Sequence, residues 1–108
     1  MIGFVMVGTN DLDKAIKFYD AMLETINLKR AVTNEKYAGY SSKERPEDIE
    51  FYVTNPANKE KATFGNGVQI SFIVNSKETV DKFYNLGIKL GGKDEGGPGI
   101  RPSGEYYC

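Results

Sequence analysis

The chain contains no histidine, and its 108 residues include a single cysteine, Cys108. The first absence removes the commonest metal ligand and general base. The second excludes an internal disulfide. No apolar run approaches the roughly 18 residues of a membrane-spanning helix. Met1 leads directly into an alternating, strand-like pattern, where a signal peptide would need a basic start and an apolar stretch. The expected compartment is the cytoplasm. Charge of one sign is missing too: 14 basic and 15 acidic residues nearly cancel, with no block of like charge and no basic stripe. Neither nucleic acid nor a membrane surface is therefore an expected partner. What is present is 40% hydrophobic and 12% aromatic content, enough for one compact domain over residues 1–108.

The chain repeats itself at an offset of 65 positions. "IGFVMVGTNDLDKAIKFYD" from Ile2 and "GVQISFIVNSKETVDKFYN" from Gly67 align Lys17-Phe18-Tyr19 with Lys82-Phe83-Tyr84, Asn10 with Asn75, and Asp13 with Glu78. Each copy opens on a β-rich apolar stretch suited to a mostly buried strand. Each then starts a helix. Asn10 with Asp13, and Asn75 with Glu78, have the spacing of a cap and an acid in the first turn, where the helix dipole favours negative charge. Leu12, Ala15, Ile16, Tyr19, Met22 and Leu23 recur at helical spacing, as do Val80, Phe83, Tyr84 and Gly87, so each helix offers one apolar face to a sheet.

Between the copies the pattern returns to period two. Strands are expected at Leu28–Thr33, Tyr37–Ser41 and Ile49–Val53, separated by "NEK" and by "SKERPED", whose charges and Pro46 suit exposed turns. "NPANKEKATFGNG" is a polar crossing into the second copy. That copy is expected to hold its strand and helix, a short strand around Ile88–Leu90, a glycine-rich turn "GGKDEGGPGIRP", and a strand in "EYYC". The resulting fold class is α+β, with two modules at 1–65 and 66–108, the second one strand short.

The opening "IGFVMVGTNDLDKAIKFYDAML", the "FGNGVQISF" crossing, and "GGKDEGGPGIRP" followed by "YY" resemble the vicinal oxygen chelate superfamily, which includes glyoxalase I, bleomycin-resistance proteins and extradiol dioxygenases. The resemblance covers essentially the whole chain. It implies paired βαβββ modules, a glyoxalase-like fold, curled around a cupped site. It also implies a last strand beyond the "YY" that this sequence, ending at Cys108, does not contain. Metal-dependent members take ligands from the first and last strands of each module. The corresponding first-strand positions here are Phe4 and Gln69, and Glu50 is the candidate in the last strand of the first module, where the register equally allows Tyr52 to point inward.

Phe4 cannot ligate a metal, and Gln69 offers only a neutral carbonyl oxygen. One carboxylate and one amide fall short of the three protein ligands of a catalytic divalent-metal site. No cofactor, no metal ligands and no catalytic residues are therefore expected. Cys108 has no histidine to activate it. "GGKDEGGPGIRP" lacks the Gly-Lys-Ser/Thr ending of a phosphate loop and does not run from a strand into a helix.

Candidate ligand-binding residues are Phe4, Glu50, Tyr52, Gln69, Arg101 and Tyr106. Each has a plain alternative: Phe4 as core or pocket wall, Gln69 bonded to a structural partner, Glu50 on the solvated face, Arg101 as a solvated loop residue, and the tyrosines as ordinary sheet packing. The function these residues imply is metal-independent binding of an aromatic or amphipathic small molecule. The alternatives are a metal-dependent lyase or dioxygenase of the same superfamily, and a truncated protein without activity. A sheet short of one strand exposes an edge that invites pairing, and members of the family commonly dimerise, so a homodimer is expected.

Overall fold

A computed structural model describes residues 1–104 and 106–108. Its elements are β1 (Val5–Gly8), α1 (Leu12–Glu24), β2 (Leu28–Thr33), β3 (Tyr37–Ser42), β4 (Ile49–Thr54) and α2 (Lys77–Lys89). The chain divides into two compact units, Met1–Ile70 and Ser71–Cys108.

The first unit is a complete βαβββ module. Its sheet runs β1-β4-β3-β2, with β1 parallel to β4 and the other neighbours antiparallel. A parallel pair needs a crossover, which α1, β2 and β3 supply. Phe51 and Val53 of β4 and Ala38 and Tyr40 of β3 are buried, as are Met22 and Leu23 of α1. Tyr19 of α1 stacks at a tilt on Phe51 with centroids 5.1 Å apart, and Tyr40 lies 6.3 Å from Phe51 on its other side. Fully burying a side chain such as Leu23 or Val53 stabilises by about 1.5–3 kcal/mol, so this aromatic-aliphatic layer holds α1 on the sheet.

Tyr40 is buried to its tip, and its hydroxyl donates to Asp20 Oδ1 at 2.8 Å. The same carboxylate receives Arg30 Nε at 3.1 Å, and its Oδ2 pairs with Arg30 Nη2 at 3.1 Å. Burial, with the Asp20 carboxylate beside it, pushes the Tyr40 phenol well above its ordinary value. Ser41, also buried, donates to the Pro46 carbonyl at 3.1 Å.

Two irregularities bend this sheet. Arg30 pairs with Tyr40 and Val32 with Gly39, which leaves Ala31 as an extra residue in β2. Tyr40 pairs with Phe51 and Ser41 with Ile49, which leaves Glu50 as the extra residue in β4. A bulge of this kind increases local twist and re-aims the side chains around it.

Both helices begin one residue later than the Asn10 and Asn75 caps would place them. Asp11, in an extended conformation, caps α1 by accepting from the Lys14 N–H at 3.1 Å. Ser76 caps α2 by accepting from the Thr79 N–H at 3.1 Å. Asn10 instead clasps the returning chain: its Nδ2 donates to the Ala62 carbonyl at 3.1 Å and its Oδ1 accepts from the Ala62 N–H at 2.7 Å. Gly8 makes room for this approach, since a Cβ there would lie 3.2 Å from the Ala62 Cβ.

The second copy of the repeat differs more from its expected form. Residues 67–74 form no strand, although burial alternates along them, with Ile70, Phe72 and Val74 half-buried and Gln69, Ser71 and Ile73 exposed. The alternating pattern is there; the ladder is not. Ile88 and Lys89, expected in a strand, are the last turn of α2, and Leu90 is its C-cap. Gly91, at φ +102°, and Gly92 close that helix: the Gly91 N–H donates to Ile88 and the Gly92 N–H to Gly87. These are the paired bonds of a Schellman ending, which requires a left-handed residue. The strand expected in "EYYC" is reduced to a bridge between Ile100 and Tyr107, flanked by two bonds between Gly99 and Cys108; Glu105 lies outside the described residues. The Tyr107 hydroxyl donates to Asp81 of α2 at 2.5 Å, and Lys77 sits over its ring.

Candidate functional site

One face of the first unit's sheet is covered by α1; the other carries a group of aromatic and apolar side chains. The parallel register sets Met6 beside Tyr52. The Phe4 ring, just ahead of β1, meets the Tyr52 ring edge-on with centroids 5.1 Å apart, and Tyr37 of β3 meets Tyr52 from the other side at 5.6 Å. Such edge-to-face pairs are worth about 0.5–1.5 kcal/mol beyond the area they bury. The three rings thus brace one another, while Phe4 and Met6 keep about half their surface in solvent, 55% and 50%.

Gly39 is the floor of this face. A Cβ at that position would come within 2.7 Å of Val32 Cγ2, 2.9 Å of Ile49 Cγ2 and 2.9 Å of Tyr52 Cε1. Three side chains from the two strands that flank β3, Val32 of β2 and Ile49 and Tyr52 of β4, therefore converge over one bare backbone position. Ile49 reaches it because the bulge at Glu50 shifts the register of β4 by one residue. Glu50 itself is exposed, two residues from Tyr52.

The expected binding residues thus fall in three places. Phe4 and Tyr52 touch, and Glu50 neighbours them along β4 as the bulged residue. Gln69 is exposed, outside any strand and within the same unit. Arg101 and Tyr106 belong to the second unit and are joined through the backbone, the Arg101 N–H donating to the Tyr106 carbonyl at 3.2 Å. The Arg101 guanidinium turns back onto its own loop, Nη1 donating to the Gly97 carbonyl at 3.2 Å, and the Tyr106 side chain is exposed. Gly39, Val32 and Ile49 escaped the sequence reading. An isolated glycine inside the strand "YAGYSS" was the available signal, because such a glycine marks a close approach or a bulge.

The charged groups of this unit cluster elsewhere. Two open grooves, of about 390 and 620 Å³, flank β2 and share Glu24, Lys29, Arg30 and Ala31 in their walls. Their charges are largely spent on one another: Arg30 on Asp20, and Lys43 on Glu24, whose carboxyl the Lys43 ammonium holds below its usual value. The grooves offer charged walls already compensated, whereas the aromatic face offers apolar surface with one carboxylate beside it.

A divalent metal is poorly matched by this donor set. Phe4 presents a hydrocarbon ring packed on Tyr52, leaving the Glu50 carboxylate and the Gln69 amide as the only oxygen donors among the three positions the sequence resemblance singles out. Among the described residues no group of three or more His, Cys, Asp or Glu could hold a metal ion.

A profile of the Glyoxalase/Bleomycin resistance protein/Dioxygenase superfamily matches residues 1–108. A glyoxalase/bleomycin resistance protein from Albidiferax ferrireducens T118 superposes with a TM-score of 0.82 at 40% identity, over 94% of this chain and 81% of that one. No match was found among curated proteins. No helix among the described residues is long and apolar enough to cross a membrane. A βαβββ module with a bulged, aromatic-faced sheet, a second helix-bearing unit in register with the internal repeat, and these matches lead to one conclusion: the chain belongs to the glyoxalase/bleomycin resistance/dioxygenase superfamily.

Proposed function

We propose that the protein is a metal-independent binder of an aromatic or amphipathic small molecule, held against the sheet face that carries Phe4, Tyr37 and Tyr52. The observation that carries this reading is Phe4. At a position where metal-dependent relatives use a ligating side chain, this chain places a half-exposed ring braced edge-on by Tyr52. A rigid aromatic wall of this kind recognises flat organic molecules by burial and edge-to-face contact. Glu50, exposed two residues from Tyr52 on β4, supplies one carboxylate for a hydrogen-bond donor or cation on the ligand, and Gln69, exposed in the same unit, is assigned to it as a further polar contact.

The test is thermal unfolding against a panel of planar aromatic compounds, each run with and without a chelator. A binder that prefers the folded state raises Tm in proportion to its occupancy. A Tm increase that survives chelation and is lost in Phe4→Ala supports the reading. A response that needs added divalent metal, or no response to any aromatic compound, overturns it.

We further propose a cytoplasmic homodimer. The single chain leaves Ile2, Ile73 and Ile100 largely in solvent, Ile73 by 99%, and apolar surface of this kind is what association removes from water. Sedimentation equilibrium at micromolar concentration gives twice the 12.0 kDa chain mass if this is correct.

A further inference from the structure

We infer that Asn66 is a site of spontaneous modification, converting to aspartate and isoaspartate through attack by the Gly67 backbone nitrogen. Asn66 and Gly67 are both exposed and lie in a bend outside any helix or strand. Among the described residues, no hydrogen bond holds the Asn66 side chain, and the Gly67 N–H donates none to the backbone. A Cβ built on Gly67 would find no atom within 4 Å, so nothing crowds the nitrogen that must approach.

The other seven asparagines are each held back by sequence or structure. Asn55 precedes Pro56, which has no N–H to attack with. Asn10 is bonded through both side-chain atoms to Ala62, Asn27 through its amide to Glu44, Asn34 to the N–H groups of Lys36 and Tyr37, and Asn58 to that of Glu60. Asn85 lies within α2, and Asn75 precedes Ser76, whose side chain crowds the attacking nitrogen as a glycine does not. Only Asn66 is followed by glycine, the residue with the freest backbone.

The chemistry balances without an oxidant or reductant. The Gly67 nitrogen forms a bond to Asn66 Cγ and loses its proton, the bond from Cγ to the side-chain nitrogen breaks, and ammonia leaves. Solvent water then opens the five-membered imide at either carbonyl, giving aspartate or isoaspartate. The first product adds a carboxylate three residues before Gln69. The second also lengthens the backbone by one carbon, four residues before the boundary at Ile70 between the two compact units.

The test incubates the full chain at mildly alkaline pH and follows the tryptic peptide 62–77 by mass spectrometry with fragmentation, alongside an enzymatic assay for isoaspartyl groups. The expected result is a mass gain localised to Asn66, isoaspartate accumulating there before the other seven asparagines react, and loss of both signals in Gly67→Ala. That variant is a clean control: its Cβ meets open space and Gly67 is not in the left-handed region, so the fold is unchanged while the attacking nitrogen is hindered. Retention of the Asn66 amide for as long as the other asparagines, or an unchanged rate in Gly67→Ala, would overturn the inference.

Discussion

Phe4 and Tyr52 meet edge-to-face, their ring centroids 5.1 Å apart and their planes at 74°. Because Phe4 is half exposed, its ring contributes modestly to folding and chiefly to the apolar wall. Phe4→Ala is therefore expected to cost about 0.5–1.5 kcal/mol, the edge-to-face contribution, far less than the 3–5 kcal/mol typical of emptying a buried phenylalanine site. Denaturant unfolding measures the first quantity, and titration with whichever planar compound raises Tm measures binding. Stability nearly kept with binding lost places Phe4 in the site; a large stability loss would assign it to the core.

Gly39 makes a sharper prediction. Its replacement by alanine drives a methyl group into Val32, Ile49 and Tyr52 at 2.7–2.9 Å. One side-chain end could give way, but three, from the strands on both sides of β3, cannot all move without disturbing the bulged strand. Overpacking costs about 1–3 kcal/mol, and each kcal/mol lowers Tm by roughly 4–8 °C in a domain of this size. Gly39→Ala is expected to lower Tm accordingly and to weaken aromatic binding through displacement of Tyr52. An unchanged Tm would mean that the three side chains have room to part.

How much of this was legible in the sequence depended on whether a signal was local. The first unit's strands β2, β3 and β4 followed from period-two alternation between charged turns, and both helices followed from their apolar spacing. The caps fall one residue beyond the expected asparagines, because Asn10 and Asp11, like Asn75 and Ser76, are adjacent cap formers. Propensity cannot choose between them; the bonds from Asn10 to Ala62, 52 residues away, do. Isoleucine at position 88 favours a strand around Ile88–Leu90, whereas the Gly91-Gly92 pair that follows is a helix-ending signal, and the helix prevails. Phe4 and Tyr52 are both legible in the sequence as candidate residues and do touch, but the convergence over Gly39 depends on the bulge at Glu50, and no sequence pattern marks that register shift.

Tyr40 ties pH to stability. Its phenol is pushed above the ordinary value of 10.0 by burial and by the hydrogen bond to Asp20. In the unfolded chain the phenol ionises from about pH 10, while the folded chain keeps it protonated. The unfolded state then binds fewer protons than the folded one, so stability falls as pH rises. The contribution is intact below pH 10 and is lost above it. Tyr40→Phe removes that titration and the bond to Asp20, which costs about 1.5–3 kcal/mol at neutral pH for a hydrogen bond to a charged partner. Urea unfolding at pH 7 and at stepwise higher pH should show a less stable variant whose stability declines less steeply than that of the parent. Parallel declines would show that other tyrosines govern the alkaline limb.

The end of α2 gives the last test. Gly91 sits at φ +102°, and a Cβ on Gly92 would lie 2.8 Å from the Gly87 carbonyl oxygen, a backbone atom of the last helical turn that cannot rotate aside. The same carbonyl accepts the Gly92 N–H at 2.7 Å, so the two chain segments cannot separate without breaking the bond that closes the helix. Gly91→Ala is expected to destabilise by about 1 kcal/mol or more, through an unfavourable backbone conformation. Gly92→Ala should cost at least as much, through the clash. Both losses belong to the second unit, so amide hydrogen exchange should quicken at Leu90–Gly92 while the N–H groups of β3 and β4 keep their protection. Equal loss of protection in both units would mean that they unfold together, and that the glycine pair supports the whole chain.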